Sequence, residues 1–354
     1  MVQADLKHYI NNLISIFALL LNTVLVILLV NIGCDIILVK LISGCVYLIR
    51  PFALMLYVKK HYVLKSIKQS GKTKYLSQKW TALGQHIAYF LHTNTDVVVL
   101  TIFTNLQTVA VYSLYNMVVS SVRSLVLSFS SGMESVLGNM YAKNEKDGLY
   151  RTFENYETML SIVLTIFFSI TSALILPFIK IYTNGITDAD YIQPVFAIIL
   201  VLAEMVYCIR LPYHYMINAA ARFKQTKFAA YGEAAINIVG SILLVNILGL
   251  VGVAIATLVA TAYRTVYYVW YLSKHILHRK ISKFIKRQSL NAIIFCIIAL
   301  VGIRFSSAVQ LANYLTWCVF ACVLAFVAFI LVMLANYVFY KNSCKAVIAK
   351  VIRW

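Results

Sequence analysis

Residues 80–103 read WTALGQHIAYFLHTNTDVVVLTIF and residues 109–142 read VAVYSLYNMVVSSVRSLVLSFSSGMESVLGNMYA, two apolar stretches that each carry a stripe of polar side chains. The polar residues of each stretch recur at helical spacing and therefore share one helix face. The stripes comprise Gln85, Tyr89, His92 and Asp96, then Tyr112, Asn116, Ser120, Arg123, Ser130 and Glu134. An ionised side chain at the centre of a bilayer costs about 2.5–3.5 kcal/mol. The stripes are therefore predicted to face other helices or a water-filled cavity.

The rest of the chain has the composition of a membrane protein. Its 354 residues are 62% hydrophobic and 12% charged, with a mean hydropathy of +0.83. Soluble domains rarely reach that apolar fraction. Runs of about 20 apolar residues, the length that crosses a bilayer, predict ten spans. They are Tyr9–Val30, Ile36–Val58, Thr81–Phe103, Thr108–Met140, Tyr156–Ile181, Ile192–Met216, Phe228–Ile247, Leu250–Leu272, Leu290–Ser306 and Tyr314–Tyr340.

The net charge of +19 comes from basic residues that are concentrated in every second loop. Every second connector is rich in lysine and arginine, whereas the alternate connectors are short and almost free of them. The basic segments are Lys59–Lys79, Tyr141–Arg151, Ala219–Lys227, Ser273–Gln288 and the tail after Tyr340. Basic loops face the cytoplasm, so we expect a multi-pass protein of the cell (inner) membrane with both termini cytoplasmic. This distribution argues against nucleic-acid binding.

The seven cysteines show neither a CxxC pair nor zinc-ligand spacing. They lie in or beside apolar runs, where cysteine behaves as a small hydrophobic residue. The sequence therefore predicts no metal site and no cofactor.

Several charged residues lie deep inside predicted spans. Arg50, Arg123 and Arg264 are about 14 residues from their external span ends, which is a depth of roughly 20 Å. Acidic residues at comparable positions are Asp96, Glu204 and Glu233. Two interpretations stay open: the charged residues line one hydrated cavity, or they form interhelical pairs that fix packing. A cationic cavity would suit an anionic substrate, since guanidinium groups bind phosphate bidentately.

Three segments resemble the bacterial polysaccharide flippases, the lipid-linked oligosaccharide branch of the superfamily that also contains multidrug exporters. They are TNTDVVVLTIFTNLQTVAVYSLYNMVV (93–119), LPFIKIYTNGITDADY (176–191) and NAAARFKQTKFAAYGEAAINIVGSILLVNILGLVGVAIATLVATAYR (218–264). The resemblance implies two six-helix lobes around a central cavity, often with two extra helices, and alternating access.

This resemblance implies an all-α polytopic transmembrane bundle corresponding to the last ten of fourteen helices. Residues 1–79 would hold the last two helices of the N-terminal lobe and a basic linker. Residues 80–275 would form the six-helix C-terminal lobe, and residues 276–354 the two additional helices. Four N-terminal helices of the family plan would then be missing, through a truncated gene, a misassigned start or a fragment.

The function implied is transport of an undecaprenyl-pyrophosphate-linked oligosaccharide for cell-surface polysaccharide (O-antigen type) assembly, without catalysis. Expected partners are that substrate and membrane lipids. The glycan polymerase machinery is a further candidate partner, which the sequence leaves open. The residues expected to bind substrate are Arg123, Arg50, Arg264, Asn116 and Tyr112. The residues expected to serve coupling or line the cavity are Asp96, His92, Glu204 and Glu233.

Three alternatives to the flippase hypothesis remain at this point. The first is a membrane glycosyltransferase that holds a metal at the D-x-D motif Asp188-Ala189-Asp190, although a lone D-x-D in a loop of about ten residues, with no large external loop beside it, is better explained by a solvated turn. The second is a cation-coupled multidrug exporter of the same fold, which would be expected to bury acids in excess of bases. The third is a truncated chain that transports nothing.

Overall fold

The structure is a computed structural model, which describes residues 8–62, 79–309 and 313–340. It contains twelve helices in those ranges and divides into two compact units, Met1–Leu76 and Ser77–Trp354. The helices are α1 His8–Asn31, α2 Ile36–Tyr47, α3 Ile49–His61, α4 Lys79–Phe103, α5 Leu106–Ser130, α6 Met133–Ala142, α7 Lys146–Tyr182, α8 Pro194–Ile209, α9 Leu211–Ala219, α10 Phe223–His275, α11 Ser282–Val309 and α12 Tyr314–Phe339. Most of the predicted basic linker and the tail after Tyr340 lie outside the described residues.

The first unit packs α1 against α2 and α3. The second predicted span is interrupted at Leu48, which separates α2 from α3. Pro51 lies in the first turn of α3, where the missing N–H of proline costs little. A hydrogen bond from Asn22 Nδ2 to the Tyr47 hydroxyl (3.5 Å) joins α1 to α2.

The second unit begins with the α4–α5 hairpin, whose short turn is fixed by an N-cap. The Asn105 side chain accepts hydrogen bonds from the Thr108 N–H (2.8 Å) and from the Thr108 hydroxyl (2.9 Å). After α5, Gly132 adopts φ +84°, a conformation that favours glycine, and α6 starts in a new direction. The α4 stripe faces α10, because Gln85 Nε2 donates to the Phe223 carbonyl (2.9 Å).

A second break separates α8 from α9 at Arg210. Pro212 lies two residues later, and because proline has no N–H it cannot donate to the Cys208 carbonyl. The Arg210 N–H bonds the Tyr207 carbonyl (3.2 Å) in a tighter 3₁₀ arrangement. The chain thus retains its general course through the bilayer, with one weakened turn in the middle.

Helix α10 is a hairpin of two helical halves that reverse at Gly249, where φ is +55° and ψ is −129°. Residues of the two halves meet across the hairpin. Asn237 Nδ2 bonds Thr257 Oγ1 (2.9 Å), and farther from the turn the Tyr267 hydroxyl bonds the Gln225 carbonyl (3.0 Å). The predicted seventh and eighth spans are these two halves.

The last two helices, α11 and α12, pack against α7. Asn313 begins α12 with a capping box to Thr316. The Trp317 indole N–H donates to the Leu174 carbonyl in α7 (3.2 Å). Apolar side chains of the three helices form a core of their own, which separates this pair from the core shared by α4, α5, α7, α8 and α10.

The predicted all-α bundle with about ten spans is confirmed. Eight helices or broken helices in the described residues are long and apolar enough to cross a membrane. That number counts the α10 hairpin once and does not include α4, which contains the predicted third span. Large apolar side chains cover the outside, for example Leu106 (78% exposed) and Leu315 (76% exposed). The chain is therefore a multi-pass membrane protein, while the assignment of its parts to two lobes stays a prediction.

A buried ion cluster attaches α11 to α7, and the sequence analysis missed it. Glu157 accepts hydrogen bonds from Arg279 Nη1 and Nη2 (2.7 Å each), from Arg287 Nη1 (2.9 Å) and from the Tyr213 hydroxyl. Glu154 binds Lys283 Nζ at 2.6 Å on the rim of the cluster. Burial lowers the pKa of Arg279, but the hydrogen bonds and the charge of Glu157 outweigh burial and hold that pKa above its ordinary value.

We expect Glu157→Gln to destabilise the protein by about 3–5 kcal/mol, because it leaves the buried Arg279 without its counter-charge and Arg287 with only the more distant Glu154 (3.7 Å). The melting temperature of the purified protein in detergent should fall by roughly 5–10 °C. Glu145→Gln, the same change at an exposed carboxylate, is the matched control and should shift it little. Equal melting temperatures for the two variants would show that the cluster does not hold α11.

Candidate functional site

Asp96 lies in the middle of α4 and is 3% exposed. Its carboxylate accepts hydrogen bonds from three neutral groups on two other helices. The Tyr112 hydroxyl of α5 donates at 3.1 Å, Thr257 Oγ1 at 2.8 Å and Asn237 Nδ2 at 3.2 Å. Asn237 Nδ2 also donates to Thr257 Oγ1 (2.9 Å), which leaves the threonine hydroxyl hydrogen for the carboxylate. The α10 hairpin therefore supplies two of the three donors as one unit.

No basic side chain neutralises Asp96 within the described part of the chain. An isolated buried carboxylate is costly in a low-dielectric interior. In addition, Asn237 Oδ1 is buried next to it without a hydrogen-bond partner in the described residues. The Asp96 carboxylate and the Asn237 amide oxygen are thus two acceptor groups that have no basic partner among the described residues. A proton or a small hard cation, which prefers oxygen ligands, would satisfy them.

A small cavity adjoins this carboxylate between α4, α5, α8 and α10. Its volume is about 50 Å³, enough for one or two water molecules or an ion, but far too small for a sugar. Its lining residues are Thr93, Asp96, Tyr112, Asn116, Arg123, Leu200, Ala203, Glu204, Tyr207, Thr257 and Thr261.

Arg123 and Glu204 form an ion pair on the opposite side of this cavity. Arg123 Nη1 lies 2.8 Å from Glu204 Oε1, and the two side chains are 23% and 12% exposed. Glu204 Oε2 is buried and has no hydrogen-bond partner among the described residues. With one arginine and the two carboxylates Asp96 and Glu204 ionised, the cavity carries a net charge of −1. Its empty form therefore attracts positive charge.

Arg264 and Glu233 belong to a different, closed cluster. Glu233 lies between two arginines, with Arg264 Nη1 and Arg210 Nη1 each at 2.5 Å. Arg264 also donates to the Tyr268 hydroxyl (2.7 Å). All three charged side chains are at most 4% exposed. The sequence analysis left two interpretations open for Arg264 and Glu233. This cluster corresponds to the second, interhelical pairs that fix packing.

The nine predicted site residues thus fall into separate groups. Arg123, Asn116, Tyr112, Asp96 and Glu204 line the small cavity. Arg264 and Glu233 lie in the closed cluster. The side chain of His92 lies outside the described part of the structure. Within the described helices of the second unit, Arg123 and Arg264 are each bound to a carboxylate, and only Arg123 borders the small cavity.

Arg50 belongs to the first unit and is described within it. Its Nη2 donates to the Ser15 carbonyl (3.4 Å), and its guanidinium carbon lies 4.7 Å from the centre of the Tyr47 ring. No carboxylate binds it among the described residues. Its predicted role in substrate binding stays a prediction.

The D-x-D motif is part of a turn between α7 and α8. Asp190 Oδ1 accepts a hydrogen bond from the Ile192 N–H (3.1 Å), and Asp188 Oδ2 accepts one from the Tyr191 hydroxyl (3.4 Å). Such bonds are typical of aspartates in turns. The described residues contain no group of three or more metal-ligating side chains.

Comparison with known proteins identifies the region that carries the site. Residues 81–243 match the MatE family model. The matched region is just under half of the chain. It contains Asp96, Arg123, Glu204 and Asn237, whereas Thr257 lies beyond the matched residues.

One solved structure with similarity to this chain is a MOP superfamily transporter from Pyrococcus furiosus. The two share 15% sequence identity with a TM-score of 0.47, over 73% of this chain and 63% of that transporter. This chain therefore spans less than two thirds of that protein's length. No curated protein matches the chain.

We expect the second unit of the protein to be stabilised by a cation bound at Asp96. For a cation at about 100 times its Kd, the gain is about 2.7 kcal/mol. The melting temperature of the purified protein should rise when Na⁺ replaces choline at constant ionic strength, or when the pH is lowered. Asp96→Asn should fold and lose this response, because the amide keeps the size of the carboxylate without its charge. Asp188→Asn is the matched control and should respond as the wild type does.

Proposed function

We propose that this protein is a cation-coupled membrane transporter in which Asp96 binds the coupling cation. The observation that carries the proposal is a buried carboxylate that faces neutral donors and a cavity of ion size. The MatE match over residues 81–243 supports the same class of protein. Asp96, Thr257 Oγ1 and Asn237 Oδ1 are the oxygen atoms available to the cation.

The cation changes the charge that the cavity presents to a substrate. With the site empty, the net charge of −1 disfavours a second anion in the cavity. A bound monovalent cation brings the net charge to zero, and an anionic group can then approach Arg123 at lower cost. Because linkage is reciprocal, an anionic substrate would raise the affinity for the cation by the same factor.

We further propose that the substrate is a lipid-linked oligosaccharide carrying a pyrophosphate. The resemblance of the chain to the polysaccharide flippases implies such a substrate. Arg123 is the residue through which the chain would hold that group. Its guanidinium is partly exposed and makes one hydrogen bond to Glu204, whereas a guanidinium has five N–H donors. The remaining donors are suited to phosphate oxygens. The lipid tail would stay in the bilayer, and the sugar path would require the cavity to widen.

The net negative charge of the cavity favours a second candidate, a multidrug exporter for cationic compounds. Such a substrate would compete with the coupling cation, since both are attracted by Asp96 and Glu204. An anionic substrate would strengthen cation binding. The sign of the linkage between cation and substrate thus separates the two candidates.

The orientation of the protein is part of this proposal. Following the basic loops, we place it in the cell membrane with both termini on the cytoplasmic side. In this orientation Arg123 lies past the middle of the bilayer as seen from outside.

We expect Arg123→Gln to slow translocation of an undecaprenyl-pyrophosphate-linked oligosaccharide at least about tenfold, because one charge-assisted contact contributes roughly 1.5–3 kcal/mol. The full chain reconstituted in liposomes, with the glycan detected by an impermeant lectin, provides the measurement. Arg123→Lys should retain part of the rate. Arg304→Gln, at an exposed arginine of α11, is the control and should transport normally.

Three outcomes distinguish the candidates in the same liposomes. Cation-stimulated movement of the glycolipid with an Arg123 effect supports the flippase. Cation-driven export of ethidium that Arg123→Gln leaves intact supports the multidrug exporter. Transport of either compound at the same rate with and without a cation gradient, and equally by Asp96→Asn, would contradict cation coupling.

A further inference from the structure

The ring of Tyr207 lies between two arginines that belong to different ion clusters. The guanidinium carbon of Arg123 is 5.6 Å from the ring centre, and that of Arg210 is 5.0 Å from it. Both distances are within the range of cation–π attraction. Arg123 is bound to Glu204, and Arg210 is bound to Glu233. One aromatic side chain therefore touches both the cavity and the closed cluster.

The sequence of α8 produces this arrangement. Glu204, Tyr207 and Arg210 follow one another at three-residue intervals and so occupy one side of the helix. Glu204 and Tyr207 line the cavity. Arg210 is the residue at the break between α8 and α9, where Pro212 removes a backbone hydrogen bond.

The closed cluster carries the connection onward to α10. Glu233 binds Arg210 from the first half of the hairpin, and Arg264 from the second half binds the same carboxylate. The guanidinium carbon of Arg210 also lies 5.9 Å from the ring centre of Tyr268. A displacement of Arg210 would therefore be felt by α8, by α9 and by both halves of α10.

We propose that Tyr207 is a positioning residue that transmits the state of Arg123 to the break at Arg210; the inference rests on the proposed transport function. Two guanidinium groups repel one another, and the electron-rich faces of the ring attract both. When an anion in the cavity draws Arg123 away from Glu204, the ring loses the cation on one face. Tyr207 and Arg210 then rearrange together, and the weakened turn at Arg210 is where the helix can bend.

A closed ion cluster next to a helix break has a mechanical consequence in this arrangement. While Arg123 is bound to Glu204, the cavity stays small. Arg210 is bound to Glu233 at the same time, and this ion pair keeps the α8–α9 break in its observed conformation. When Arg123 leaves Glu204, the turn at Arg210 becomes easier to bend. Glu233 stays neutralised during this change, because Arg264 remains bound to Glu233. The ring is the contact that joins the two events.

The first test measures the coupling without transport. Glu204→Gln and Glu233→Gln are made singly and together, and the melting temperatures of the purified full chain are compared. We expect the two shifts to be non-additive by about 2 °C or more. In the Tyr207→Leu background the shifts should be additive, and in the Tyr207→Phe background they should be non-additive as in the parent protein. Tyr263→Leu, at an exposed tyrosine of α10, is the control background and should leave the non-additivity intact.

The second test measures linkage during transport. The cation concentration for half-maximal stabilisation is determined with and without the lipid-linked oligosaccharide. In the wild type the substrate should shift it at least about fivefold. Tyr207→Leu should lose this shift, whereas Tyr207→Phe should keep it.

Each result decides for or against the role of Tyr207. Non-additive shifts that persist in the Tyr207→Leu background, or a substrate-induced shift that survives this substitution, would overturn the inference and leave cation coupling standing. A wild type without any cation-linked transport would overturn the proposed function. The melting cycle would still decide whether the ring joins the two ion clusters.

Discussion

The structure depends on one constraint, the high cost of an unneutralised charge inside a bilayer. The described spans meet this cost by bringing arginines and glutamates from different helices together. Glu233 neutralises charge between the break at Arg210 and the α10 hairpin, and Glu157 does so between α7 and the segment that leads into α11. These contacts specify which helices are neighbours, because a wrong neighbour would leave an arginine without a partner. Buried pairs of this kind contribute more to specificity than to net stability.

The exception to this rule is the candidate functional site. Asp96 receives neutral donors where the other buried acids receive arginines, and Glu204 keeps one carboxylate oxygen without a partner in the described chain. Both acids border the same small cavity. A protein that needed these residues for packing alone would have neutralised them, as it neutralised Glu157 and Glu233. In the proposed transporter, the incomplete neutralisation leaves the two acids able to bind a cation.

The Asp96 carboxylate receives donors from inside and from beyond the region that matches the MatE model. The match ends at residue 243, within the first half of the α10 hairpin, and Thr257 comes from the second half. The turn at Gly249 brings Thr257 beside Asn237, so the carboxylate on α4 receives a pair of donors that are already bonded to one another. Helices α11 and α12 pack farther away, on α7, and do not line the cavity.

The sequence by itself determined the all-α membrane fold, most span positions and the stripes that carry Asp96, Tyr112 and Arg123, because hydropathy and helical periodicity are local properties. It did not determine which charges meet. Glu204 and Arg123 are 81 positions apart and Glu157 and Arg279 are 122 apart, and no periodicity links such distant residues. Nor did it reveal the size of the cavity: the sequence left a shared hydrated cavity and interhelical pairs both open, and the packing of α4, α5, α8 and α10 leaves a cavity of about 50 Å³. Only the tertiary structure decided that Arg264 is enclosed while Arg123 stays accessible, since burial depends on neighbours that the local sequence does not name.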